Sequence, residues 1–109
     1  MDLNHVHLGV DDVEVSAAFY ERFGFRKDVW HGGAQFMRND DGFDLALGPH
    51  GRAAMPEWFH IGFRLPSADD VRALQATCAP VLASGDDPDF VWFRVADPDG
   101  YEVEVYWEE

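Results

Sequence analysis

His5-Val6-His7-Leu8-Gly9-Val10-Asp11-Asp12, near the start of the chain, lines up with His60-Ile61-Gly62-Phe63-Arg64-Leu65-Pro66-Ser67. Gly42-Phe43-Asp44-Leu45-Ala46-Leu47 lines up in the same way with Gly100-Tyr101-Glu102-Val103-Glu104-Val105. Self-similarity of this kind marks one supersecondary unit used twice, and it fixes which residues occupy equivalent places. His60 then stands where His5 stands, and Glu104 where Ala46 stands.

Around these stretches the composition sets bounds. The 109 residues suffice for one domain with one core and are too few for two independent globules. A hydrophobic share of 47% and an aromatic share of 15% argue against disorder. Asp and Glu number 21 against 8 Lys and Arg, a formal charge of −13. Such a chain lacks the cations that nucleic acid or an anionic membrane demands, and it admits cationic ligands and metal ions. Acidity also keeps a small protein soluble. Cys78 is the single cysteine, so no internal disulfide forms, and the sequence places it as a packed thiol mid-helix. No basic-then-apolar leader and no apolar run of membrane length are visible, which predicts a cytoplasmic protein with no membrane and no nucleic-acid partner.

Residues 3–10 alternate, with His5 and His7 on one side and Val6, Leu8 and Val10 on the other, the period of a strand. Asp11 and Glu14 predict a capping box, and Val15, Phe19 and Phe23 the apolar face of a helix ending at Gly24. Strands are predicted over 25–30, 34–38 and 43–47. The second half repeats the order. Residues 58–65 alternate with Trp58, His60, Gly62 and Arg64 on one face, and Ser67 with Asp70 predicts the next cap. Val71, Leu74 and Cys78 line a helix stopped by Pro80, and strands follow over 81–83, 90–95 and 101–107. Asp97-Pro98-Asp99-Gly100 is the turn before the last strand, on which Tyr101, Val103, Val105 and Trp107 oppose Glu102, Glu104 and Tyr106. The prediction is an α+β chain of two tandem βαβββ units, 1–48 and 58–109, joined by a linker over 49–57 and forming a single domain.

The order of elements, His5-Val6 on the first strand, Ala18-Phe19-Tyr20-Glu21 followed by Gly24-Phe25, and Asp97-Pro98-Asp99-Gly100 followed by Glu104 resemble the vicinal oxygen chelate superfamily. That group includes glyoxalase I, extradiol dioxygenases, fosfomycin-resistance transferases, methylmalonyl-CoA epimerase and bleomycin-binding proteins. The resemblance covers nearly the whole chain and implies a curved sheet around a shared cavity. It is specific for the fold and weak for the reaction, because one scaffold hosts many chemistries. In metal-dependent members the matching positions hold one divalent ion, which implies His5, His60 and Glu104 as ligands here. Two imidazoles and one carboxylate form a facial triad with open positions, and they accept Fe, Mn, Ni, Co or Zn. The fourth ligand of glyoxalase I falls on Ala46, whose methyl group cannot coordinate, so glyoxalase I itself is disfavoured. Asp44, two residues earlier, would reach the ion only in a shifted register.

The resemblance thus implies a metal-dependent lyase, isomerase or dioxygenase acting as a Lewis acid on a small oxygen-bearing substrate. His7 and Glu102 are the candidate catalytic proton-transfer groups. Arg64 and Arg94 would clamp a substrate anion or pair with the protein's own carboxylates. Trp58, Trp92 and Tyr106 would wall a pocket for a planar ligand or serve as sheet packing. His31 and His50 are expected in solvated loops. The alternative reading is a non-catalytic acidic protein that sequesters a cationic aromatic antibiotic, as bleomycin-binding members do. A homodimer is expected, with the units pairing within a chain or between chains.

Overall fold

The computed structural model describes residues 1–109, which divide into two compact units, Met1–Ala54 and Met55–Glu109. The division falls inside the stretch expected to be the linker. In the first unit β1 (His5–Gly9) is followed by α1 (Val13–Glu21), β2 (Arg26–His31), β3 (Ala34–Arg38) and β4 (Asp44–Gly48). Its sheet has the order β1-β4-β3-β2, with β1 parallel to β4 and the other pairs antiparallel. In the second unit β5 (Ile61–Arg64), α2 (Ala68–Gln75), β6 (Ala83–Asp87), β7 (Phe90–Ala96) and β8 (Glu102–Glu108) form a sheet of order β5-β8-β7-β6. Again the first strand is parallel to the last and the others are antiparallel. Each unit is βαβββ, and the chain is α+β.

The repeat holds down to individual pairs. In the first sheet Ala46 lies between His7 and Phe36, and Asp44 between His5 and Arg38. In the second, Glu104 lies between Gly62 and Arg94. Gly62 is the position that the sequence repeat equates with His7, and the sheet register makes Arg94 the counterpart of Phe36.

One face of each sheet is buried under its helix. Leu45, Leu47 and Met37 are buried in the first unit, where α1 packs on β2, β3 and β4. Val91, Phe93, Val103 and Val105 are buried in the second, where α2 packs on β7 and β8. Burying such aliphatic side chains contributes roughly 1.5–3 kcal/mol each. Alternation does the rest, leaving Trp92, Arg94, Glu102, Glu104 and Tyr106 half-buried on the opposite face.

Several local expectations are corrected. The cap of α1 is Asp12, whose carboxylate accepts from the backbone N–H of Glu14 and Val15. Asp11 is engaged elsewhere: its oxygens accept from the backbone N–H and Nε of Arg52, at 2.9 and 2.6 Å. The buried face of α1 is Ser16, Ala17 and Tyr20, while Val15 is exposed. The helix therefore docks rotated from the expected face. Small residues let its backbone approach the sheet, and Tyr20 fills the space. Ser67 caps α2 as expected, accepting from the N–H of Asp70.

His60 lies just before β5, because Phe59 donates to the Pro56 carbonyl in a tight turn that delays the strand. Cys78 lies beyond the end of α2, in a stretch closed by bonds from Thr77 to Leu74 and from Cys78 to Gln75. The predicted strand at 81–83 is displaced to β6 at the sheet edge, whose Ala-Ser-Gly-Asp-Asp sequence carries no apolar signal. No helix is long and apolar enough to cross a membrane.

The turn into β8 rests on Asp97, only 4% exposed. Its Oδ1 accepts from the N–H of Asp99 and of Tyr101, both at 2.9 Å, while Gly100 adopts φ 88°. An Asp97→Ala change strands two buried donors and is expected to lower stability by about 1–3 kcal/mol. Urea denaturation checks this, and an unchanged midpoint would refute the assigned role.

Candidate functional site

The second unit concentrates polar chemistry on its half-buried face. Two cross-strand rows run over it: Gly62, Glu104, Arg94 and Ala83 in one, and Arg64, Tyr106, Trp92 and Gly85 in the next. Glycine and alanine flank the first row, so Glu104 and Arg94 have no large neighbour on either side within it. Gly85 has a specific reason, since a Cβ there would lie 2.3 Å from the Trp92 Nε1.

His60 reaches this row from the turn before β5. Its Nε2 is 3.5 Å from Glu104 Oε2, and the two side chains are 29% and 15% exposed. Its Nδ1 is 3.2 Å from the Trp58 carbonyl, which can only accept, so Nδ1 carries the proton of the neutral ring. The Nε2 lone pair then faces a carboxylate oxygen. Two such donors repel unless a proton or cation lies between them. Bonds of about 2.0–2.2 Å would place two ligand atoms of one ion roughly 3–3.5 Å apart, so the pair fits a divalent ion as it stands.

Arg94 provides a counter-charge. Its Nε donates to Glu104 Oε1 at 3.2 Å, and its guanidinium carbon is 5.4 Å from the centre of the Trp92 ring. Its Nη1 is 4.0 Å from Glu102 Oε2, an atom that is buried and has no hydrogen-bond partner. Arg64 donates to the Glu108 carbonyl, and Tyr106 packs near Phe90. Trp58 is 75% exposed, so its backbone carbonyl is what it brings to His60.

In the first unit His5 is prepared in the same manner as His60. Its Nδ1 lies 2.8 Å from Asn4 Oδ1, which leaves Nε2 free. Its cross-strand neighbour Asp44 is held by a fork from Arg38, at 2.8 and 3.0 Å. That fork keeps the Asp44 carboxyl below its ordinary range. Ala46 is buried in β4 beside His7.

His7 and His50 meet through their Nε2 atoms at 2.9 Å, with rings within 17° of coplanar and centroids 5.1 Å apart. The centroids are farther apart than the nitrogens by about a ring's width, so the rings meet nose to nose through an N–H···N bond. His50 lies exposed in a loop, as expected, and this loop after β4 folds back, with Gly51 donating to the Val10 carbonyl, and brings it to His7. Gly48 makes the space, since a Cβ there would lie 2.3 Å from His50 Nε2 and 2.6 Å from His7 Nε2. No repeat or periodicity signals this pair. Within either unit taken alone, no three His, Cys, Asp or Glu side chains gather as a metal site.

The sequence profile of the Glyoxalase/Bleomycin resistance protein/Dioxygenase superfamily matches residues 2–105. The chain belongs to this superfamily. Among solved structures, a protein from Bacillus cereus described as a possible glyoxalase is 29% identical, with a TM-score of 0.78 over 96% of this chain and 97% of that one. A glyoxalase-related enzyme from Fulvimarina pelagi is 25% identical, with a TM-score of 0.74 over 99% of this chain and 88% of that one. The lactoylglutathione lyase of Agrobacterium tumefaciens, 22% identical, has a TM-score of 0.74 over 97% of this chain and 92% of that one, and shares the fold. No curated protein matches the sequence. The superfamily assignment accounts for the two βαβββ units.

Two predictions follow from the first unit. Gly48→Ala should force one imidazole out of the His7–His50 pair and cost about 0.5–1.5 kcal/mol. Imidazole 15N shifts report the pair directly, and identical shifts in the variant would contradict it. Because Arg38 holds Asp44 below its ordinary 3.8, that ion pair contributes fully above this value and is lost as pH falls through the lower folded value. Asp44→Asn should accordingly flatten the acid limb of a stability-versus-pH curve; an unaltered limb would show that other carboxylates govern it.

Proposed function

We propose that the protein is a small divalent-metal-dependent enzyme of this superfamily, with His5, His60 and Glu104 as ligands. One observation carries the reading most. Both histidines have Nδ1 engaged by an oxygen, His5 by Asn4 and His60 by Trp58, which leaves each Nε2 as a free donor. Fixing the distal ring nitrogen in this way is how proteins orient metal-binding imidazoles.

The ligand set stays at three. Ala46 brings no donor atom, and Asp44 is occupied by the Arg38 fork. A four-ligand centre of the glyoxalase I type is therefore disfavoured. Three ligands leave room for two oxygens of a small organic substrate. A bound divalent ion supplies Lewis acidity toward those oxygens. The residues of the chain do the remaining work. His60 and Glu104 present their ligand atoms to the same point, and Arg94 balances the carboxylate charge on their face. Trp92 and Tyr106, paired across β7 and β8, offer a flat aromatic wall for the substrate's carbon skeleton. His7 shares a proton at Nε2 with His50 and is the group proposed to pass a proton to or from substrate. Lyase, isomerase and dioxygenase reactions all suit this set.

Elemental analysis of protein purified without chelators, followed by titration with Fe, Mn, Ni, Co and Zn, tests the reading. About one ion per triad is expected, and His60→Ala should abolish tight binding. An Ala variant that keeps one tightly held ion per chain would sink the ligand assignment.

A further inference from the structure

We infer that Arg94 is the counterion a bound divalent cation displaces from Glu104, and that the buried Oε2 of Glu102 receives the displaced guanidinium. This rests on the metal reading of His60 and Glu104, and it gives Glu102 a role other than proton transfer.

Arg94 and Glu104 are direct cross-strand partners, which places Glu102 diagonally from Arg94 on the same face. One guanidinium thus lies within reach of two carboxylates. It bonds the first, Nε to Glu104 Oε1 at 3.2 Å, and stands off the second, Nη1 to Glu102 Oε2 at 4.0 Å. A cation accepted by Glu104 would face the Arg94 charge across a few ångströms in a half-buried site, where like charges are poorly screened. The guanidinium must then move or weaken the ion's binding.

The destination is visible. Glu102 Oε2 is buried without a hydrogen-bond partner, an arrangement that costs free energy. A shift of roughly 1 Å by Arg94 would close the gap to the usual length of a charge-assisted hydrogen bond. The track is visible as well. Trp92 lies beneath the guanidinium, seated in the space that Gly85 leaves, so the cation–aromatic contact can persist through the shift. After it, each carboxylate has one cation: the ion on Glu104 and Arg94 on Glu102.

A double-substitution cycle on the full chain tests this. Zn and Ni affinities are measured by competition with a chromophoric chelator for wild type, R94M, E102Q and R94M/E102Q, with folding verified by circular dichroism. R94M is expected to tighten binding by about tenfold, since the competing ion pair is gone. E102Q is expected to weaken binding several-fold in the wild-type background and far less in the R94M background. Equal E102Q penalties in both backgrounds would mean plain long-range charge and overturn the inference alone. Weaker binding by R94M would do the same, making Arg94 a prop for Glu104. On wild-type protein, the Arg94 Nε–H NMR signal should shift on adding Zn, and a stationary signal would also overturn it. Wild-type protein that takes up no ion would overturn the metal reading, and this inference with it.

Discussion

The register of β8 between β5 and β7 is the constraint on which the second unit depends. Val103 and Val105 must be buried under α2, so the pleat sends Glu102, Glu104 and Tyr106 to the other face. A slip of one residue would bury carboxylates and expose valines, a change that no local rearrangement could offset. The Asp97–Gly100 turn pins that register, because its buried carboxylate fixes where β7 ends and β8 begins. The site geometry is thus inherited from core packing.

On that face the electrostatics are closely matched. Two carboxylates, one imidazole and one guanidinium sit half-buried, where charges interact more strongly than at the surface. Most other ion pairs of the molecule involve well-exposed side chains, such as Arg26 with Asp40 and Arg72 with Asp69, and contribute little each. The protein's strong net negative charge is therefore mostly a solvated property, and the carboxylates that matter are the few that the sheet places out of water.

The first unit shows what a duplicated framework permits. The pairing of its last strand with its first and third strands repeats that of the second unit around Ala46 and Glu104, yet the chemistry at equivalent places differs. Where the second unit has Glu104 flanked by Gly62 and Arg94, the first has Ala46 flanked by His7 and Phe36. Where Glu102 keeps an unpartnered oxygen, Asp44 is closed off by Arg38. Its own polar feature, the His7–His50 bond, depends on a loop and on Gly48, outside the repeated pattern.

How much was legible follows from these particulars. The repeat and the period-two alternation depend only on spacing along the chain, so the βαβββ order, the shared face of Glu102 and Glu104 and the Ser67 cap were readable from sequence. The sequence also sufficed to make His60 and Glu104 equivalent to places in the other unit. The orientation of α1, the choice of Asp12 over Asp11 as cap, the edge strand β6 and the His7–His50 pair were not readable. Each is decided by a partner outside the local pattern: a sheet surface that Tyr20 fits, the Arg52 fork, the ladder of β7, and a returning loop. Local pattern records which residues share a face; only tertiary structure decides which distant group claims each hydrogen-bonding atom.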